Sequence, residues 1–218
     1  MKNQSGAIVI LADGAFPQRQ EHLDVLRNAE MILCCDGAAD KLIAETGMIP
    51  EKIIGDLDSL SAEVKKLCPD KLVHITEQES NDLAKTFRFC RENGISPTHL
   101  FGAAGGREDH LLGNLAQFAI FAKEFPALCL YTDRGHFHAF YGEAEHDDLL
   151  PGRQISFFTF DPLARLSVTG VKYPLDSLAL PYWNSGTLNE LTADRITVKS
   201  DTAAPVLIFF CDDLPKKI

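Results

Sequence analysis

Two carboxylates stand two residues apart in the segment Gly55-Asp56-Leu57-Asp58-Ser59, directly after a short apolar run. On a turn, both can point into one cleft, where they repel each other unless a cation sits between them. Hard oxygen donors with no neighbouring Cys or His suit magnesium, which keeps several waters and bridges substrate phosphates. Asp82, in the first turn of the next expected helix, can complete the cluster, so Asp56, Asp58 and Asp82 are the expected metal ligands. A second segment, Gly102-Ala-Ala-Gly105-Gly106-Arg107-Glu108-Asp109-His110, follows another apolar run. Glycines such as Gly105 and Gly106 let a backbone approach a phosphate closely, and a following helix offers free N–H groups. Arg107 adds a forked cation for phosphate oxygens. The segment is neither a Walker motif, lacking Gly-Lys-Ser/Thr, nor a G-x-G-x-x-G after the first strand. His110 reads first as a packing or capping histidine.

These residues share a position relative to the elements around them. AIVILA from Ala7, MILCC from Met31, KIIG from Lys52, LVHIT from Leu72, THLFG from Thr98 and ALCLY from Ala127 read as near-continuous apolar strands separated by helices. That pattern predicts a parallel sheet covered by helices on both faces. Asp36 and Gly37 follow the second strand, Asp56 and Asp58 the third, Gln78 and Asp82 the fourth, and the glycine-Arg segment the fifth. Ligands of open parallel sheets bind beyond the carboxyl ends of the strands, so four consecutive loops deliver polar groups to one edge. Ser80 is the expected N-cap of a helix with the apolar stripe Leu83, Phe87 and Cys90, ended by Gly94. A second helix is expected from near Arg107, with Leu111, Leu115, Phe118 and Ala122 as its stripe and Pro126 as its stop.

After about Asp133 the helical period fades. ISFFTF, RLSVTG, DRITV and PVLIFF read as strands separated by LPGR, DPLA and NSGT, which predicts a small antiparallel sandwich or barrel. The expected organisation is an α/β, Rossmann-like parallel-sheet domain over residues 1–135 followed by an all-β sandwich domain over 136–218.

The 218 residues carry a formal net charge of −10, which repels nucleic acid at long range. A bound nucleotide would need local Arg, Lys or metal to invert that charge. The six cysteines include no C-x-x-C pair and lie mostly in apolar runs, as small buried hydrophobes of a reducing compartment do. The N-terminal apolar stretch is too short for a signal peptide and no run reaches the length of a membrane span, so a cytoplasmic protein with no membrane partner is expected.

The chain resembles the thiamine pyrophosphokinase family through segments that occur in order: CDGAADKL from Cys34, IIGDLDS from Ile53, EQESNDLAK from Glu77, GAAGGREDHLLGNL from Gly102, VTGVKYPL from Val168 and SGTLNE from Ser185. GDLDS and GGREDH together are specific. Asn81 stands where the family often has Thr, and Leu188 where it often has Ser. The resemblance implies a magnesium-dependent transfer of pyrophosphate from ATP to the thiamine hydroxyl, releasing AMP. It implies catalytic roles for Asp56, Asp58, Asp82, Arg107 and Asp109. Substrate contacts are implied at Asp36, Gln78, Lys85, Gly105, Gly106, His110, Ser185, Thr187 and Asn189. It also implies a homodimer in which the β domain binds thiamine and pairs the subunits. Trp183, Phe209 and Phe210 are aromatic candidates for the cationic thiazolium. The paired Asp residues alone also fit a magnesium-dependent phosphohydrolase with an Asp nucleophile, or a non-catalytic thiamine or nucleotide sensor on the same fold.

Overall fold

The computed structural model describes residues 6–213. The chain divides into two compact units, Met1–Asp133 and Arg134–Ile218.

The first unit alternates strands and helices: β1 (Ile8–Leu11), α1 (Gln20–Arg27), β2 (Met31–Cys35), α2 (Ala38–Thr46), β3 (Lys52–Gly55), α3 (Ala62–Leu67), β4 (Leu72–His74), α4 (Asp82–Glu92), β5 (His99–Phe101), α5 (Glu108–Phe121) and β6 (Cys129–Thr132). Every pairing is parallel, in the order β4-β3-β2-β1-β5-β6. A doubly wound dinucleotide fold commonly runs three strands outward before crossing back; here four do so. Parallel pairing requires all strand carboxyl ends to share one edge, and the loops after β1 to β5 therefore meet there. Apart from the half-exposed edge strand β4, the apolar runs are buried as continuous strands, with Val9, Ile10, Leu33, Cys34, Ile53, Ile54 and Leu100 wholly enclosed.

The cap of α4 is Asn81 rather than Ser80: the Asn81 Oδ1 accepts from the Ala84 N–H at 3.0 Å. Ser80 instead donates to Glu77 and accepts from Arg88. Leu83, Phe87 and Cys90 are buried as one stripe. Helix α5 ends at Phe121, before Pro126, because the chain turns at Ala122–Phe125 through Phe121-anchored hydrogen bonds.

The second unit is all β: β7 (Gly135–Phe140), β8 (Glu143–His146), β9 (Gln154–Thr159), β10 (Arg165–Thr169), β11 (Leu175–Ala179), β12 (Asn189–Glu190), β13 (Ile196–Ser200) and β14 (Val206–Cys211). Antiparallel pairings give the orders β12-β9-β14-β7 and β11-β10-β13-β8. Ile155, Phe157, Val206 and Ile208 from the first of these share one core with Leu166, Val168, Ile196 and Val198 from the second. Alternation along β13, where Ile196 and Val198 are buried and Lys199 is exposed, is the period-2 signature of a half-buried strand. Strands β7, β8, β11 and β12 go beyond the four expected from sequence. Glu143–His146 and Leu175–Ala179 are edge strands with mostly exposed or half-exposed side chains, so they lack an apolar run. Among the described residues no helix is long and apolar enough to cross a membrane. Five cysteines are buried and Cys211 is half-buried, all as free thiols.

Candidate active site

The loop after β2 begins with Asp36, which takes a left-handed backbone (φ 41°) that Asp tolerates better than most residues. Its amide donates to the Ile54 carbonyl at 3.0 Å, and this turns the side chain inward, where it is 2% exposed. Oδ2 accepts from the Ser59 N–H at 3.0 Å. Oδ1 is buried without a hydrogen-bond partner. Burial raises the Asp36 pKa, the Ser59 bond opposes that rise, and the charges of Asp82 and Asp56 add to it.

Strand β3 ends at Gly55. A Cβ there would lie 3.0 Å from both the Asp36 Cβ and the Asp82 Oδ1, so only glycine lets these two carboxylates close in. Asp56 follows. Its Oδ2 accepts from Gln78 Nε2 at 3.0 Å and its Oδ1 from the Asp58 N–H at 3.2 Å. Those two bonds, in that order, hold its carboxyl below the usual range, with Lys85 contributing as well. Asp82, the first residue of α4, pairs with Lys85 Nζ at 2.9 Å. One oxygen from each of Asp36, Asp56 and Asp82 lies within 4.8 Å of the others.

Asp58 does not join this group. Leu57 takes a left-handed backbone (φ 65°) and buries its side chain, and the Asp58 amide is spent on Asp56, while the Asp58 carboxylate is exposed. Asp36 stands in the place that spacing alone gave to Asp58. Helix α3 is capped by Ser61, which accepts from the Val64 N–H.

The loop after β5 packs backbone to backbone against the loop after β1. Gly14 N–H donates to the Gly102 carbonyl at 2.7 Å and Ala15 N–H to the Ala104 carbonyl at 2.8 Å. Gly105 (φ 78°) would place a Cβ 2.4 Å from the Ala15 Cβ, so its glycine serves this loop contact. At Gly106 the nearest atom to an added Cβ is 3.8 Å away. Arg107 precedes α5 and is 74% exposed at its side chain; its Nε and a terminal nitrogen fork onto Asp109 at 3.1 and 2.6 Å. The fork raises the Arg107 pKa and lowers that of Asp109. Asp109 also accepts from the His110 N–H at 2.9 Å.

A cleft of about 560 Å³ gathers these groups. From the β3-to-α4 segment its lining takes Asp56, Gln78, Asp82 and Lys85; from the β5-to-α5 segment it takes Gly106, Arg107, Asp109 and His110. Asp36, Asp58 and Gly105 do not line it.

Three further residues belong here that sequence reasoning passed over. Asp13 lines the cleft from the loop after β1 and pairs with Lys41 Nζ at 2.7 Å. Lys41 also donates to the Asp13 and Gly14 carbonyls, tying that loop to α2. Asn114 donates to the Ala103 carbonyl and accepts from Asn81 Nδ2 at 3.1 Å, linking α5 to the cap of α4. Asp13 follows β1 as Asp36 follows β2, so the same reading extended to the first strand finds it. Lys41 and Asn114 carry no such signal.

In the second unit, Ser185 and Thr187 lie in a tight turn, with Ser185 N–H bonded to the Tyr182 carbonyl and Thr187 Oγ1 to the Asn184 carbonyl. Asn189 is 6% exposed; its Oδ1 accepts from the Tyr173 and Glu190 amides and its Nδ2 donates to the Tyr173 carbonyl. Leu188 takes a left-handed backbone (φ 61°) and is 69% exposed. Trp183 is 45% exposed and packs against Phe158 and Phe160, whereas Phe210 is buried among His136, His138 and His146. Phe209 packs on Phe137.

The model of the thiamin pyrophosphokinase catalytic domain matches residues 22–130, and that of the thiamin pyrophosphokinase substrate-binding domain matches residues 135–209. The thiamine pyrophosphokinase of Bacillus subtilis (strain 168) is 30% identical over 141 residues, which span 62% of this chain and 66% of that protein. Thiamin pyrophosphokinase 1 of Caenorhabditis elegans is 24% identical over 202 residues, covering 87% of this chain and 82% of the relative. The crystal structure of the Bacillus subtilis thiamine pyrophosphokinase superposes with a TM-score of 0.75 at 25% identity, covering 95% of this chain and all of that one. The chain therefore belongs to the thiamine pyrophosphokinase family, through both its catalytic and its substrate-binding part.

Proposed function

We propose that the cleft of the first unit is where pyrophosphate passes from ATP to the hydroxyethyl oxygen of thiamine, giving thiamine diphosphate and AMP. The family makes the chain an enzyme that forms thiamine diphosphate. The observation that carries the placement is the convergence of Asp36, Asp56 and Asp82 within 4.8 Å, beside a loop that presents Arg107.

That cluster fits a divalent cation. It offers only hard oxygens, and Asp36 Oδ1 is a buried acceptor with nothing to accept from. Asp36, Asp56 and Asp82 would hold magnesium, which when bound supplies positive charge against phosphate oxygens. The remaining work is alignment and charge stabilisation by the chain's own groups. Gln78 fixes one Asp56 oxygen and the Asp58 amide the other, so the carboxylate is oriented before substrate arrives. Arg107 and Asp109 are paired without substrate. When the Arg107 fork transfers to phosphate oxygens, Asp109 loses the contact that keeps its pKa low and becomes a better acceptor for the thiamine hydroxyl proton. The phosphohydrolase reading is disfavoured by the match of both family domains over most of the chain.

The proposal extends to a cytoplasmic homodimer whose β unit contributes to thiamine binding. Free thiols throughout support the compartment. Of the aromatic candidates, Trp183 is the one presented to solvent on a fixed aromatic base.

Turnover of thiamine and ATP with added magnesium tests the metal assignment. Chelation should abolish the reaction and restored magnesium recover it; full activity in excess chelator would contradict the assignment.

A further inference from the structure

Lys85 borders the cleft, yet its side chain is enclosed and its charge is already committed. Its side chain is 1% exposed, among the largest wholly buried side chains in the protein. Its ammonium lies 2.9 Å from Asp82 Oδ1 and 3.7 Å from Asp56 Oδ2, two of the three carboxylates of the acidic cluster. The third, Asp36, has a buried oxygen with no partner. Three carboxylates this close cannot stay ionised without compensation. The only cation the described residues place against two of them is this one.

We propose that Lys85 is an internal counter-charge of the acidic cluster, a positioning residue that holds Asp56 and Asp82 together in the metal-free enzyme and competes electrostatically with the divalent cation that replaces part of its role. This rests on the reading of Asp36, Asp56 and Asp82 as a metal site. Its helical setting explains how one residue reaches both carboxylates. Asp82 and Lys85 lie three residues apart on α4 and share a face, and Asp56 reaches the same ammonium from the loop after β3. The stem is enclosed, so the ammonium cannot swing out to a phosphate without unpacking α4. A mobile substrate lysine would instead keep its head in solvent and bury only its stem. The cluster with Lys85 has one unit less negative charge than it would have alone. The ion pair therefore stabilises the empty site and moderates its affinity for cations.

Two opposed effects follow for Lys85→Met. In chelator its melting temperature should fall, because three carboxylates lose their compensation. Its magnesium affinity, read from melting shift against concentration or by calorimetry, should rise by on the order of tenfold or more, since a unit charge at this range commonly shifts such equilibria by about one to three powers of ten. A lysine whose charge is not coupled to the cluster predicts no tightening of magnesium, and one that binds phosphate predicts weakened ATP binding in Lys85→Met as well. If Lys85→Met fails to fold, the double variant Lys85→Met with Asp82→Asn decides: a folded double variant supports the counter-charge, and failure of both overturns it. Absence of any magnesium response in the wild-type protein overturns the metal reading and this inference with it. A wild-type response that Lys85→Met leaves unchanged or weakens overturns this inference alone.

Discussion

The Asp36 carboxyl is buried beside Asp56 and Asp82, so folding favours its protonated form and its pKa lies above the ordinary 3.8. A group whose folded pKa is raised contributes stability that is fully present below the unfolded value and is lost as pH rises through the folded one. At neutral pH, ionised Asp36 is thus tolerated at a cost that a bound cation removes. Asp36→Asn keeps an oxygen to accept from the Ser59 N–H. It should leave the metal-free melting temperature at pH 7 unchanged or raised, while turnover falls on the order of 100-fold or more. Paired melting and rate measurements check this, and a variant that loses stability but keeps its rate would make Asp36 structural. Arg107 invites a different substitution. Its guanidinium is exposed and forks onto Asp109 alone. Arg107→Lys should leave melting unchanged yet lower turnover by on the order of tenfold or more, because an ammonium cannot supply two parallel donors. Unchanged kinetics would remove Arg107 from the site. Asp56, Asp82, Gln78 and Arg107 were legible in sequence because each follows a strand of a parallel sheet. The trade of Asp58 for Asp36 was not, because it depends on the left-handed backbones of Asp36 and Leu57, which spacing does not encode.

Elements position these residues through caps and braces as much as through packing. Asn81 caps α4 and contacts Asn114, so the start of the helix that carries Asp82 and Lys85 is tied to α5. Asn81, which stands where the family often has Thr, is thus the cap of this helix. Asn189, expected from family resemblance among the substrate contacts, has its polar atoms bonded to the backbone of Tyr173 and Glu190. Asn189→Ala would remove the bonds its buried side chain makes to the backbone of Tyr173 and Glu190 and should destabilise the β unit by about 1 kcal/mol or more. Thermal melting checks this; an unchanged melting temperature with weakened thiamine binding would return Asn189 to the substrate. The parallel strands of the first unit stood out in sequence as apolar runs, which burial on both faces explains for all but the half-exposed edge strand β4. In the second unit, β9, β10, β13 and β14 stood out for their apolar runs. The edge strands β8 and β11 were invisible because their side chains are largely exposed.

At the scale of the whole molecule, the two units meet different demands, one gathering carboxylates and an arginine, the other forming a sandwich with exposed Tyr173, Tyr182 and Leu163. Light scattering should give a mass near twice the 24.1 kDa of one chain, as a C2 homodimer requires; a fully active monomer would end the pairing proposal. The most direct test of the account follows the phosphates themselves. With thiamine, magnesium and ATP radiolabelled on its γ-phosphate, the label should move into thiamine diphosphate. ATP labelled on its α-phosphate should yield labelled AMP in equal amount, and both should fall on the order of 100-fold or more in Asp36→Asn. Release of the γ label as inorganic phosphate together with ADP, or undiminished transfer by that variant, would contradict pyrophosphate transfer at this acidic cleft.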